Sequence, residues 1–439
     1  MSKEPIFLHT KNKRVNPVSQ TLKYRLMIAY SVLLIAIGVL SETPVELWQG
    51  MLRILASPSN LLTDYMAVGN FGSAFVNSGI LTLTSVLLAR SRNVVVSGPL
   101  IAAFLTVSGF SFFGKNIYNS LPIFLGVYLY ALVVRKPYSQ YMLVALFGSA
   151  SSPVISYLTF GTGLPLWQGI ILGYLVGMIV GFVLPPLASQ FLQFHQGFSL
   201  YNVGFTAGIV AMFVTSVVRL FGSDIERPSI LTTEYNLAAT IVLTVLFLLF
   251  FIVGYLLNHR SFHGMKTIFA TSGKLITDFV SMTEIGATMI NMSIMGLLML
   301  AFVYLLGGAL SGPLIGGILT VVGFGAFGNH WKNSLPILIG VVLAAKVSPA
   351  YGHDPFPILL TAMFGTSLAP ISGFYGPLYG ILAGFLHMTL VTNVVALHGG
   401  LNLYNNGFSC GFVAAFMVPL LDTINQVKRG EKHAGKRKV

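Results

Sequence analysis

Long apolar runs, separated by short polar connections, follow one another through almost the whole chain. They cover residues 24–41, 70–89, 94–113, 118–134, 140–160, 165–188 and 200–220, and then 236–257, 285–305, 309–327, 333–349, 356–375, 377–397 and 405–422. A helix needs about 20 mostly apolar residues to cross the hydrocarbon core of a bilayer. The pattern therefore predicts an all-α polytopic membrane protein with seven transmembrane helices in each half.

The halves are copies of one another. Ser97-Gly98-Pro99-Leu100-Ile101 recurs as Ser311-Gly312-Pro313-Leu314-Ile315, and Asn119-Ser120-Leu121-Pro122-Ile123 as Asn333-Ser334-Leu335-Pro336-Ile337, both at an offset of 214. From Ser97 to Val127, 19 of 31 positions are identical to their partners. Gly50-Met51 and Leu62 to Tyr65 have counterparts at the same offset, in Gly264-Met265 and Ile276 to Phe279. Phe147-Gly148 and Pro153 meet Phe364-Gly365 and Pro370 at offset 217, and His195, Tyr201, Asn202 and Gly204 meet His398, Tyr404, Asn405 and Gly407 at offset 203. The second copy thus has a shorter sixth segment without the Pro185-Pro186 region. The chain divides into a basic tail (1–23), a first repeat (24–220), a connection (221–235), a second repeat (236–422) and a second basic tail (423–439).

An odd number of spans per copy sets the copies upside down relative to each other, and the charges agree. With the N-terminus in the cytoplasm, Arg90, Arg92, Arg135 and Lys136 fall inside. So do Arg260, Lys266, Lys274 and the basic tail, while Asp224, Glu226 and Glu234 fall outside. The counterparts of the Arg90–Arg92 stretch are Tyr304, Leu305 and Leu306, as expected if that connection faces out in the second copy. Matching apolar segments with exchanged basic loops point to inverted repeats. Expected is a bacterial or archaeal cell membrane protein with both termini cytoplasmic. The first apolar run, which no small-residue cleavage site follows, reads as a retained helix rather than a signal peptide.

Composition narrows the function. With 55% hydrophobic and 8% charged residues, against about 25% charged in soluble domains, the chain is not an ordinary soluble protein. The net charge of +13 comes largely from Lys3 to Arg25, Lys428 to Lys438 and a few short connections, which disfavours a nucleic-acid partner. The single cysteine, Cys410, excludes an intrachain disulfide. His195, His330, His353 and His398 lack metal-ligand spacing, and neither a nucleophile with its base nor a phosphate-binding glycine loop is visible. No metal, cofactor or enzymatic activity is expected.

Candidate binding residues lie where the copies share polar interruptions. Gly148-Ser149-Ala150-Ser151-Ser152-Pro153 breaks segment five, and Gly365-Thr366-Ser367-Leu368-Ala369-Pro370 breaks segment twelve, near the midplane. Equivalent breaks in both halves point to a transporter binding site built from Ser149, Ser151, Ser152, Thr366 and Ser367. The other reading is a kinked helix packed through small residues. Asn77 and Asn291 sit deep in segments two and nine, as glue between helices or as walls of a polar path. The turn Gly114-Lys115-Asn116-Ile117-Tyr118-Asn119-Ser120 matches Gly328-Asn329-His330-Trp331-Lys332-Asn333-Ser334. Asn119 or Ser120 is expected to cap the following helix, with Pro122 in its first turn. This turn reads slightly better as a surface connection than as a pair of gates, with Asn119, Asn333, Lys115 and Lys332 as its candidate binding groups. Asn202 and Asn405, each after a tyrosine, are anchors or pocket walls. Asp64 and Asp278 stand out among only twelve acidic residues, as ion-coupling carboxylates or as helix caps. Glu284, whose counterpart is Asn70, reads as the residue that starts a helix.

The Gly-Lys-Asn-Ile-Tyr-Asn-Ser-Leu-Pro-Ile turn and the Leu-Tyr-Asn-Val-Gly-Phe stretch at 200–205 resemble an uncharacterised prokaryotic family of multi-pass membrane proteins. That resemblance covers most of residues 24–425 and implies neither substrate nor mechanism. Val76-Asn77-Ser78-Gly79 and Gly197 to Asn202 bear a fainter similarity to urea transporters, which have fewer helices per repeat. The architecture is similar to that of nucleobase and anion carriers with seven-plus-seven inverted repeats. The expectation is a secondary transporter of a small polar or anionic solute working by alternating access. Na⁺ or H⁺, membrane lipid and a second copy of the chain are further candidate partners. The competing reading is a passive channel or facilitator for a small neutral, urea-like solute.

Overall fold

The computed structural model describes residues 18–223, 225–275, 277–348 and 354–436, without side chains beyond 427. Asp224, Ile276, His353, residues 1–17 of the first basic tail and residues 437–439 of the second lie outside that set, as does the end of the segment expected to reach residue 349. Among the described residues the chain is helical, with only isolated bridges at Thr63–Ile230 and Asp64–Phe113. The first copy comprises α1 (Gln20–Ser41), α2 (Pro44–Leu55), α3 (Tyr65–Val68), α4 (Phe71–Ser91), α5 (Gly98–Phe110), α6 (Ile117–Val133), α7 (Met142–Gly148), α8 (Ser152–Ser156), α9 (Leu166–Phe194) and α10 (Asn202–Leu220). The second comprises α11 (Asn236–Leu257), α12 (Met265–Ala270), α13 (Phe279–Leu305), α14 (Gly312–Phe324), α15 (Trp331–Val347), α16 (Pro355–Gly365), α17 (Ala369–Tyr375), α18 (Pro377–His398) and α19 (Asn405–Lys436).

Helix bounds repeat as the sequence does. α14 and α15 start and stop 214 residues after α5 and α6, and α18, at 22 residues, is shorter than the 29 of α9. Ten helical segments among the described residues are long and apolar enough to cross a membrane, five in each copy. The segments expected at 94–113, 118–134, 309–327 and 333–349 are instead shorter helices, of 13 residues for α5 and α14 and 17 for α6 and α15. At 1.5 Å per residue, 13 residues reach only about 20 Å of a roughly 30 Å core.

These short helices form the centre. All of α14 and all of α5 except Pro99 are buried, and the two cross through small residues. A Cβ on Gly109 would lie 2.7 Å from the Gly316 carbonyl oxygen, and one on Gly323 would lie 3.1 Å from that of Ala102. Without a water-driven hydrophobic force between helices, such close backbone packing holds membrane bundles together. α6 meets α9, and α15 meets α18, through glycines in the same way, at Gly181 against Ile123 and Gly384 against Ile337. The periphery is apolar and open: Ile171, Leu175 and Ile179 of α9 and Ile241, Val245 and Leu248 of α11 are exposed. This is the surface of a membrane-embedded protein, facing lipid.

Candidate functional site

The polar turn between α5 and α6 is not a surface connection. Residues 111–116 and their counterparts 325–330 are buried throughout, which corrects the expectation of an exposed loop. The reason is that neighbouring side chains take up its backbone carbonyls. Asn77 Nδ2 donates to the carbonyls of Ser111 (2.7 Å) and Lys115 (2.9 Å), and Asn291 Nδ2 to those of Gly325 (2.7 Å) and Asn329 (2.8 Å). The two buried asparagines thus brace the turns. Their Oδ1 atoms have no hydrogen-bond partner.

The cap of α6 is Asn116, three residues before the expected Asn119 and four before Ser120. Its Oδ1 accepts from the Asn119 amide (3.0 Å), while Asn119 Oδ1 accepts from the Asn116 amide (2.8 Å). This reciprocal box starts the helix early, so Pro122 falls inside it rather than in its first turn. In the second copy His330 takes the capping position and Asn333 Oδ1 accepts its amide (2.9 Å). Asn119 Nδ2 also donates to Ser156 Oγ (2.9 Å), and Asn333 Nδ2 to the Gly328 carbonyl (2.8 Å).

Both expected breaks are present, as single 3₁₀ turns at Ser149–Ser151 and Thr366–Leu368 with Pro153 and Pro370 just beyond. The helices tighten there rather than unwind. Proline removes a helical donor, and in the first copy the Ser152 hydroxyl donates to the Ser149 carbonyl in its place. A mid-helix 3₁₀ stretch commonly marks a hinge.

Each break is held by the other copy. The Leu200 amide donates to the Ser367 carbonyl and the Leu403 amide to the Ala150 carbonyl, both at 3.0 Å. Beside them, Leu61 donates to Gly400 (3.1 Å) and Leu275 to Gly197 (3.0 Å), again exchanging copies. Ser367 Oγ meets Ser199 Oγ (3.0 Å) and accepts from the Tyr201 amide (3.2 Å). The side chains of Tyr201 and Tyr404 meet between the copies with ring centroids 5.0 Å apart. Phe324 packs on Tyr201 and Phe110 on Tyr404, each at 4.6 Å. Both phenol oxygens are buried without a hydrogen-bond partner.

A cavity of about 250 Å³ opens beside this aromatic cluster, lined by Pro99, Phe147, Tyr201, Asn202, Leu275 and Phe324 among others. The equivalent place in the other half is more enclosed. Leu61, Leu360 and Asn405 are buried where Leu275, Leu143 and Asn202 are partly exposed. The connection between the copies explains the difference, because it exists only once. Ile230 pairs with Leu62 and Asp64 backbone groups at 2.9 Å, and the Pro228 carbonyl accepts from Asn60. Asn202 and Asn405 each bond a histidine at the end of the preceding helix, His195 (3.0 Å) and His398 (2.8 Å).

Residues 43–220 and 257–423 match the family described as protein of unknown function, DUF1576. The match covers more than three quarters of the chain. The chain belongs to the DUF1576 family. No curated protein and no solved structure matches it. Within this DUF1576 chain, the match spans both polar turns, both breaks and both tyrosines.

Asp64 and Asp278 cap α3 and α13, and each also reaches a half-length helix of the other copy. Asp64 Oδ2 accepts from the Gly312 amide (2.9 Å) and Asp278 Oδ1 from the Gly98 amide (2.8 Å). Asp64 is fully buried and Asp278 is not. Glu284 sits at the start of the long part of α13, with φ 74°. Lys332 is exposed near Phe269 and Trp331, whereas Lys115 is enclosed and donates to Ser149 Oγ. Its counterpart Asn329 donates to Thr366 Oγ1 (3.1 Å). The aromatic cluster and the bracing of the turns by Asn77 and Asn291 escape a reading of the sequence alone. Their signal was the recurrence of Phe110 as Phe324 and Phe147 as Phe364 under the repeat offsets.

Proposed function

We propose that this protein is a secondary transporter of a small polar or anionic solute, and that it works by alternating access between two inverted copies. The observation that carries this reading is the reciprocal hold of each copy on the other's broken helix, with a cavity open beside one of the two equivalent places and the residues of the other more enclosed. Two interlocked copies with one-sided access are what a rocking carrier requires. Inversion is supported by parity. Each copy has five long segments and a pair of shorter ones, and the count stays odd whether that pair crosses twice or re-enters. The solute path runs past Tyr201, Tyr404, Asn202 and the two 3₁₀ turns. Na⁺ or H⁺ coupling acts through Asp64 and Asp278, whose charge holds the half-length helices of the opposite copy.

The test is uptake of a broad metabolite panel by purified protein in liposomes, with preloaded solute on the far side. A carrier gives saturable uptake that is accelerated by preloading. Uptake that rises linearly with concentration and ignores preloading would assign a passive facilitator instead. No uptake of any solute would refute transport.

A further inference from the structure

We propose that Lys115 is the counter-charge of an anionic solute, so that the protein carries a small anion rather than a neutral or cationic molecule. This rests on the transport reading above and adds the class of cargo. Lys115 is 1% exposed, and its ammonium donates to Ser149 Oγ. Among the described residues no carboxylate lies within ion-pair distance of it. The nearby carbonyls of the break already have donors. Leu146 takes the Ser149 hydroxyl, Ser149 takes the Ser152 hydroxyl, and Ala150 takes the Leu403 amide. An enclosed, uncompensated charge is costly, and inside membrane proteins such residues mark ligand or ion pathways.

The second copy shows that the fold does not need this charge. Asn329 occupies the equivalent position and makes the equivalent contact, to Thr366 Oγ1, with a neutral amide. A donor is therefore sufficient for structure, and the ammonium is surplus to it. In the same 3₁₀ turn the Ser151 hydroxyl is wholly buried and has no partner. An ammonium with free donors, held on a turn that also carries a free hydroxyl, suits a carboxylate, a halide or a small oxyanion. The cavity reaches the second copy's turn at Phe327, so the anion meets Lys115, in the first copy's turn, when the other of the two equivalent places is the open one.

The test uses the full-length protein. Thermal unfolding and liposome uptake are measured with sodium chloride, nitrate, acetate, lactate and phosphate, and with urea, glycerol and glycine as uncharged or zwitterionic comparators. At least one anion is expected to raise the unfolding midpoint and to be taken up, with the comparators inert. Lys115→Asn, which copies the residue of the second repeat, should weaken that anion's apparent affinity about thirtyfold or more, leaving the midpoint without anion unchanged or higher. Lys115→Arg should retain the anion preference. Uptake confined to the comparators would overturn the assignment while leaving transport intact, and the wild-type protein alone decides that. Unchanged anion affinity in a folded Lys115→Asn protein would overturn it too. Absence of any uptake would remove the transport reading and this inference with it.

Discussion

Asp64 accepts the amide of Gly312 at 2.9 Å, and Asp278, its partner in the repeat, accepts the amide of Gly98, the partner of Gly312, at 2.8 Å. The contact is its own image under exchange of the copies, as in the self-complementary interface of a two-fold dimer. Each carboxylate therefore links its own repeat to the first turn of the other's half-length helix. An anionic side chain is favourable there, because free amides and the positive end of the helix dipole both point at it.

The two clasps are wired differently, and this predicts unequal sensitivity. Asp64 uses both oxygens, Oδ1 for Met66 and Oδ2 for Gly312 and Thr232. Asp278 receives Gly98, Val280 and Ser281 all on Oδ1. An asparagine keeps one acceptor oxygen, enough for the second arrangement but not for the first. Asp64→Asn should cost about 1–3 kcal/mol and Asp278→Asn less than about 1 kcal/mol, read as unfolding in detergent. Equal losses would contradict the clasp geometry.

Adjacent glycines on α14 should also respond in opposite ways. A Cβ at Gly316 would sit 2.8 Å from the Gly109 carbonyl oxygen and closer still to the Phe113 ring. One at Gly317 would have side-chain atoms of Met363 and Phe364 as its nearest neighbours, at 3.2 Å or more. Gly316→Ala should destabilise by about 1–3 kcal/mol through overpacking. Gly317→Ala should be neutral or stabilising, since alanine is the better helix former by about 1 kcal/mol. Thermal unfolding of the two variants is the check.

The two unpartnered phenols separate stability from transport. Removing a buried hydroxyl that bonds nothing strands no partner, so Tyr201→Phe and Tyr404→Phe should leave the unfolding midpoint unchanged or raise it. If the hydroxyls meet the solute, both variants should reduce uptake by raising KM. Wild-type uptake in both variants would move the solute path away from the aromatic cluster.

Much of this was legible in the sequence because a duplication turns every local feature into a pair. The breaks at Ser149 and Thr366, the pairing of the buried asparagines Asn77 and Asn291, and the shorter α18 all follow from matching offsets. The turn at 111–116 was not legible as an interior element. Its lysine, asparagine and glycine have the composition of a surface loop. Only tertiary contacts, from Asn77 above all, show that its carbonyls are satisfied inside the protein. The length of α5 was hidden as well, because apolar residues continue through the turn at Phe112 and Phe113. Contacts between the copies, such as Leu200 with Ser367, leave no sequence pattern.

The most direct test of alternating access compares Leu61 and Leu275, equivalent residues of which one is buried and the other lines the open cavity. Leu61→Cys and Leu275→Cys, each in a Cys410→Ala background, are labelled from either side of the membrane with an impermeant maleimide, with and without transported solute. Alternating access predicts that the thiol introduced at position 275 reacts from one face only, while the thiol at position 61 is protected. Solute turnover should then expose position 61 to the opposite face as position 275 becomes less reactive. Simultaneous labelling of both positions, each from either face, would show a continuous pore and contradict alternating access.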